Sequence, residues 1–407
     1  MRSVVITGMG IVSDLGNTLQ IITNNLSRAS ETITMVDVQV SKDRTVTYPV
    51  HMIDRESVSK DMAKLPYELE RTFTPMSLFA YKAAKIALTQ AKLTDKAQSY
   101  YYQPEKIGLA VASGLPSIGT FEDLFLHTMA ENPKNMPTGD IFKTLNNSVA
   151  FNLGHALGIK GRVLSPTSAC ASSLQSILLG YEAIRNGYAD MMICGGAEEY
   201  HSYLSFIFNK LGIASKTSCK PFQKDRDGII VGEGAGIVIL EAEDMARNRG
   251  ADIVAEVMSG GMTFSNSAAY SDTDSILSCM LQATQRARIE YIDAINAHAT
   301  GTPTGDAQEA EAIRQYLELY PNTVMKTTAL KGFFGHTMAA CGAIELIMSI
   351  HLAKAKRQMP ICSAEQISDD CQDALVYTGG DTSVYPFLLT NSFGLGGVNT
   401  SILVNMR

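Results

Sequence analysis

Three features of the chain predict an α/β fold: apolar, β-branched runs ending in glycine turns, amphipathic helical segments between them, and two such units that resemble each other. In chain order the strand candidates are SVVITGMG (3–10), KIGLAVASG (106–114), RVLSPTSA (162–169), DMMICGGA (190–197), GIVILEA (236–242) and PFLLTNSFG (386–394). A helix is expected after Cys170, because Leu174, Ile177, Leu178, Tyr181 and Ile184 fall on one face at i, i+3, i+4, i+7 spacing, and Gly187 supplies a stop. After His336 the same reading gives a stripe of Ala340, Ile344, Ile347 and Ile350. Each unit is a strand, a turn of small residues carrying a reactive side chain, and a helix. The repetition divides the chain into halves of 1–245, with Cys170, and 246–407, with His298 and His336. Segments 40–75 and 115–150 lack clean periodicity and read as insertions or loops, the first either a partner-facing cap or a plain surface loop.

Composition narrows the function classes. A chain of 407 residues with 45% hydrophobic residues, 18% charged residues and 32 glycines has the balance of a globular enzyme. The formal charge of −7 argues against nucleic acid as the main partner, because phosphate binding needs a basic footprint. The seven cysteines (170, 194, 219, 279, 341, 362 and 371) form no CxxC pair and no metal-ligand spacing, so no metal is expected and buried free thiols are. The opening MRSVVITGMGIVSDLGN has one basic residue and an apolar run broken by Gly8, Gly10 and Asp14, unlike a secretory signal. No apolar stretch approaches the roughly 18 residues that a membrane span needs. A cytoplasmic location is the expectation.

Reactive side chains gather in three islands. Cys170, in SPTSACASS, is placed where a strand meets a helix N-terminus, flanked by small residues that leave its sulfur open. Backbone N–H groups and the helix dipole there would favour the thiolate and could also serve an oxyanion. His298, in NAHATGT, stands at a strand end, where a neutral imidazole can donate an Nε2 hydrogen to a developing enolate. Thr300 and Thr302 add hydroxyls suited to amide groups of an extended substrate arm. Lys331 and His336 lie five apart across KGFFGH, giving fixed positive charge and a second donor. Asp306 and Glu309 enter the following helix on its first turns, where they either cap it, hold Lys331 in place or order the site. The tail NSFGLGGVN places a glycine turn between two strands, able to bring an N–H to an oxyanion. Gly8, Gly10 and Asp37 imitate a dinucleotide fingerprint, but its third glycine is replaced by Ser13, so no nicotinamide cofactor is expected.

Together these islands resemble the elongating β-ketoacyl-acyl-carrier-protein synthases of the thiolase superfamily, of the Cys-His-His type. The likeness runs from VVITGMGIVS to the terminal NSFGLGGVN and includes the order of Cys170, His298, Lys331 and His336. It implies a thiolase-like five-layered αβαβα fold of two similar halves, normally a homodimer with each site near the dimer interface. It implies that Cys170 takes an acyl group from a carrier-protein thioester, with the N–H groups of Cys170 and Leu395 as oxyanion hole and Phe393 beside the gate. His298 and His336 would bind the malonyl thioester carbonyl as carbon dioxide leaves, Lys331 and Glu309 would order them, and Thr300 and Thr302 would hold the pantetheine arm. No metal or redox cofactor is implied; the substrates ride on the phosphopantetheine of acyl carrier protein.

Three positions depart from that pattern. Ala299 stands where the family usually has glycine, and Leu395 where elongating enzymes usually carry a gating phenylalanine. The carrier-docking basic patch is reduced to Arg71 and Lys134. A thiolase would need a second cysteine in the C-terminal glycine loop, and CoA-primed synthases use Cys–His–Asn. A chain-length-factor subunit would lack Cys170. A specialised ketosynthase of a polyketide or aryl-polyene type pathway, paired with a chain-length factor, stays open beside fatty acid synthesis.

Overall fold

Two five-stranded units of the same order form the frame. The computed structural model describes residues 1–93, 101–129, 137–266, 271–321, 325–357, 364–374, 376 and 386–406. Along the chain the strands are β1 (Val4–Val12), β2 (Ile33–Ser41), β3 (Arg44–His51), β4 (Ile107–Ala112), β5 (Val163–Leu164), β6 (Met191–Glu198), β7 (Val231–Gly232), β8 (Gly234–Ala242), β9 (Ala255–Phe264), β10 (Ala294–Asn296), β11 (Lys326–Thr328), β12 (Phe387–Gly394) and β13 (Val398–Asn405). The helices that matter here are α1 (Pro75–Gln90), α2 (Ile118–Met129), α3 (Ser148–Ala156), α4 (Ser172–Arg185), α5 (Thr273–Ala287), α6 (Pro303–Leu319) and α7 (Cys341–Lys354).

The main sheet has the order β11-β10-β12-β13-β9-β1-β8-β6-β4-β5. Reading outward from the centre, β9-β13-β12-β10-β11 repeats β1-β8-β6-β4-β5, antiparallel at the inner pairs and parallel at the outer ones. The two units touch through a short β1–β9 pairing at Val4, Val5 and Ile6. This is the duplication that the sequence shows.

Burial explains why most strands read as unbroken apolar runs. Along β8, Val238 and Leu240 join the core around α4 and α7, whereas Ile237 and Ile239 join the core under α1 and α3. Side chains alternate between faces, and both faces are covered. In the second unit Ile402 and Val404 face the central core, while Leu403 packs with Ile276 of α5 and Tyr316 of α6. The layers are therefore α1/α3, sheet, α4/α7, sheet, α5/α6, the five-layered αβαβα arrangement. Position in the central layer also corrects the stripe expected on α7: Cys341 through Ile350 are buried on every face, because sheets lie on both sides. Helix α4 buries Leu174, Ile177, Leu178, Tyr181 and Ile184 and stops before Gly187, whose φ is +75°.

Other expectations shift at their edges. The run 162–169 is a strand only over Val163–Leu164; Pro166 has no N–H to donate, and the chain turns inward toward Cys170. Segment 40–75 is regular rather than loop-like: β2 and β3 form a hairpin, β3 pairs with β7, and Asp54 caps a helix at Arg55–Met62. The alternation of Val36, Val38 and Val40 is the period-2 signal for β2. Segment 115–150 holds α2, a short helix at Thr138–Lys143 and the start of α3. Helix α2 buries none of its residues, which is why its pattern gave no core face. The Gly8–Gly10 pair serves close packing, since a Cβ at either would overlap a carbonyl oxygen of α1, at Ala87 and Ala83. Asp37 lies far from any nucleotide role, accepting a hydrogen bond from Thr47 in the hairpin. Among the described residues, no helix is long and apolar enough to cross a membrane.

Candidate active site

Two matching turns deliver the nucleophile and one histidine. Ala169–Ala171 is a single 3-10 turn at the head of α4, and Met338–Ala340 is its counterpart at the head of α7. Ala169 and Met338 both adopt a φ of 49°, a left-handed conformation that neighbouring contacts must hold. At the first turn, Ser172 Oγ accepts from the Ser168 N–H at 2.9 Å and donates to the Ala169 carbonyl at 2.6 Å. Ser392 on β12 donates to the Cys170 carbonyl at 2.8 Å, and the Cys341 thiol does so at 3.4 Å. Gly394 lies against the Ser168 carbonyl so closely that a Cβ would overlap it. The nucleophile is thus clamped from both halves.

His336 Nε2 lies 3.0 Å from Cys170 Sγ. Its Nδ1 accepts the Met338 N–H at 3.2 Å, so the ring proton sits on Nε2, facing the sulfur. His298, just past β10, has the same tautomer for a different reason: Lys331 Nζ lies 3.3 Å from its Nδ1. The two rings stand 5.6 Å apart at 81°, with Phe393 5.5 Å from His298. Burial, with the positive charge of Lys331 next in weight for each, holds both imidazoles well below the ordinary histidine range, so both are neutral donors.

Lys331 is buried and spends its donors on the His298 carbonyl at 2.5 Å, His298 Nδ1, and Glu345 Oε1 at 2.6 Å. Burial opposes its charge, but Glu345 and its neighbours raise the pKa overall. Glu345 is pushed up to about 7 by burial, against the pull of Lys331. Sequence reasoning had passed over Glu345; its signal is a lone carboxylate inside the apolar run CGAIELIMSI. Glu309, one of two acids expected to cap the helix, hold Lys331 or order the site, accepts the N–H groups of His298 and Ala299 at 2.9 and 2.8 Å and the Asn391 amide at 3.1 Å. Asp306, the other, holds the N–H groups of Phe222 at 2.7 Å and Gly301 at 3.1 Å, and burial moves it up to about 7. Both acids fix the backbone that carries His298 and the threonines.

The sulfur differs from expectation. Burial pushes the Cys170 thiol up to about 11, although the Leu395 N–H, the Lys331 charge and its own N–H pull the other way. The resting group is the thiol, not the thiolate, and the donors aimed at it await negative charge brought by reaction. The other five described cysteines are free and buried; Cys362 lies outside the described residues. Arg71 stacks over the Tyr67 ring at 5.6 Å, and Lys134 lies outside the described residues.

A pocket opens over these groups, lined by Cys170, His298, His336, Thr300, Thr302 and Leu395, with apolar walls that include Phe208 and Ile213. The Thr300 and Thr302 hydroxyls are 3.0 Å apart. The Leu395 side chain is exposed at the rim of the turn made by Gly396 and Gly397, with φ of +95° and +93°. The sulfur and the two imidazoles lie within 4.8 Å of one another and could geometrically grip a soft divalent ion, at the expense of the thiol proton and both Nε2 protons. With one nucleophile and two neutral donors converging on one point, the arrangement can form a thioester and stabilise an enolate.

Known proteins are similar to this chain over its whole length. Over 413 residues the chain is 28% identical to 3-oxoacyl-[acyl-carrier-protein] synthase 2 of Staphylococcus aureus (strain COL), covering 99% of this chain and 98% of that protein. A beta-ketoacyl synthase from Burkholderia phymatum STM815 superposes with a TM-score of 0.87 at 24% identity over 100% of both chains. The ishigamide ketosynthase/chain length factor does so at 0.85 and 24% identity, over 100% of this chain and 99% of that one. The N-terminal domain of the Beta-ketoacyl synthase family matches residues 1–246 and its C-terminal domain matches residues 251–364. This chain belongs to the beta-ketoacyl synthase family.

Proposed function

We propose that the protein is a β-ketoacyl-acyl-carrier-protein synthase, an acyltransferase that condenses an acyl group held on Cys170 with malonyl carrier protein. The supporting observation is the pairing of a thiol 3.0 Å from one neutral imidazole with a second imidazole held in the same tautomer by Lys331. The Cys170 sulfur attacks the acyl thioester, its C–S bond to the carrier arm breaks, and the arm leaves as a thiol carrying the Cys170 proton. Malonyl carrier protein enters next. Its carboxylate leaves as carbon dioxide, and the electron pair moves onto the thioester oxygen, where the Nε2–H groups of His298 and His336 donate to it. The resulting carbanion attacks the acyl-cysteine carbonyl while the N–H groups of Cys170 and Leu395 hold its oxygen. The new C–C bond forms, the C–S bond to Cys170 breaks to leave its thiolate, which takes a proton from solvent and returns to the thiol, and β-ketoacyl carrier protein departs. Half 1–245 supplies the nucleophile, half 246–407 supplies both imidazoles, and Thr300 and Thr302 hold the arm. No resident metal or redox cofactor takes part, because every charge in the scheme is met by an N–H donor.

The active form is a homodimer in the cytoplasm. Supporting it, Phe121, Phe125, Leu126 and Met129 of α2 and Ile141, Phe142 and Leu145 beyond it are exposed in the single chain, an apolar surface that a second copy would cover. Leu395 favours one further reading, a specialised ketosynthase of a polyketide or aryl-polyene type pathway paired with a chain-length factor, since a leucine gate lacks the flat ring that elongating enzymes use.

Intact-protein mass after incubation with a panel of acyl carrier proteins tests the proposal. An adduct absent from Cys170→Ala and discharged by malonyl carrier protein supports it, and the best-loading acyl group names the pathway. An adduct that persists in Cys170→Ala, or one that malonyl carrier protein never discharges, overturns it.

A further inference from the structure

At the head of helix α6, Thr302, which precedes its first turn, and then Gly305 and Gln308 line the pocket at three-residue spacing. Gly305 offers no side chain, so Gln308 is the next polar group along that wall after Thr302. Its Oε1 is buried and has no hydrogen-bond partner among the described residues. The backbone beneath it is fixed, with the Thr273 hydroxyl on the Gln308 carbonyl at 3.3 Å and Glu309 anchored to His298 and Ala299. Neighbouring polar groups on the wall each have a partner, Thr300 with Thr302 and Ser271 with Asn399, although the threonine pair keeps one hydroxyl hydrogen to donate to the arm. A wall with a fixed backbone therefore carries a desolvated acceptor with no donor among the described residues, a state that costs stability unless a ligand donates to it.

We propose that Gln308 is a specificity-determining residue, and that its Oε1 accepts an N–H from a secondary amide of the arm that brings the acyl group to Cys170. The inference rests on the ketosynthase reading, in which the acyl group arrives as a thioester on a pantetheine arm. Chemistry favours the arm over the acyl tail as the donor. A hydrocarbon tail has no N–H or O–H, and it fits the apolar wall of Phe208 and Ile213; the arm has two amides a few bonds from the sulfur. Gln308 would then select arm-borne thioesters over thioesters of simple thiols.

The test is the rate of Cys170 loading from acyl-pantetheine by wild type and Gln308→Leu, with alkylation of Cys170 by N-ethylmaleimide as the measure of an intact site. Loss of one neutral hydrogen bond should raise the KM for acyl-pantetheine about fivefold, leave kcat within about twofold, and leave alkylation unchanged. An unchanged KM overturns the inference. So does a parallel fall in kcat and alkylation, which would mark Gln308 as a packing residue only. A wild-type chain that is alkylated yet takes no acyl group from pantetheine or carrier protein sinks the ketosynthase reading, and this inference with it.

Discussion

Ala169 and Met338 carry the same φ, 49°, at matching points of the two halves. Cys170 follows the first and Ala339 the second, so only one copy of the turn holds a nucleophile. The second copy contributes instead through His336, two residues before Met338, whose Nδ1 accepts the Met338 N–H. Duplication built one scaffold twice, and the residues on it divided the labour. Their meeting at 3.0 Å between Sγ and Nε2 is the product of both.

Glu345→Ala should be among the most damaging changes remote from the substrate. It leaves the buried Lys331 ammonium without its carboxylate, and breaking a buried pair costs about 3 kcal/mol or more. Urea unfolding will show this as a lower midpoint with an unchanged slope. Glu345→Gln, which keeps an acceptor for Lys331, should lose less.

Gly394→Ala should slow acyl loading by about a hundredfold, because the added methyl drives β12 off the Ser168 carbonyl and displaces the Leu395 N–H from the sulfur. Loading rates followed by intact mass will report it. A variant that loads at the native rate would show that β12 does not position the nucleophile turn.

Decarboxylation should show no inflection near pH 6.5, the ordinary histidine value, because burial keeps His298 and His336 neutral well below it. The same shift has a sign for stability. As pH falls through 6.5 the unfolded chain takes up protons at these imidazoles and the folded one does not, so stability present above 6.5 is lost below it. Wild type should therefore lose stability relative to His298→Asn as pH drops through that window, which parallel urea titrations at several pH values will measure.

Zinc should inhibit and chelation should not. Cys170, His298 and His336 present a thiol and two imidazoles within 4.8 Å, a donor set that soft divalent ions prefer. Micromolar zinc added to the purified protein should block loading of Cys170, with recovery on adding EDTA, while EDTA alone leaves the rate unchanged. Loss of activity with EDTA alone would put a metal into the chemistry.

Much of this site was legible because its chemistry is local. Cys170, His298, Lys331 and His336 each lie in short motifs at the ends of apolar runs, and runs mark strands and helices whatever their partners. What the sequence hid depends on partners. Glu345 reads as an ordinary helix residue until the turn that carries Lys331 lies against it. For Glu309 and Asp306 the motifs leave a cap, a hold on Lys331 and an ordering of the site all open, because nothing in one dimension says that their oxygens face the backbone N–H groups around His298. The thiolate expected at Cys170 followed from the helix N-terminus alone; the depth of burial that outweighs it is a property of the packed pair of central helices. Helix α2 escaped notice because its apolar side chains have no core to face within one chain.

The most direct test of the account is a single-turnover comparison of wild type and His298→Ala, following both Cys170 loading and carbon dioxide release from malonyl carrier protein. If two neutral donors stabilise the enolate while the sulfur depends on His336 and the Leu395 N–H, the variant should load Cys170 at nearly the wild-type rate. Its decarboxylation should fall by about 10²–10³-fold, the usual cost of losing one oxyanion donor. Loading that collapses together with decarboxylation would contradict the account, because His298 would then serve the nucleophile rather than the enolate.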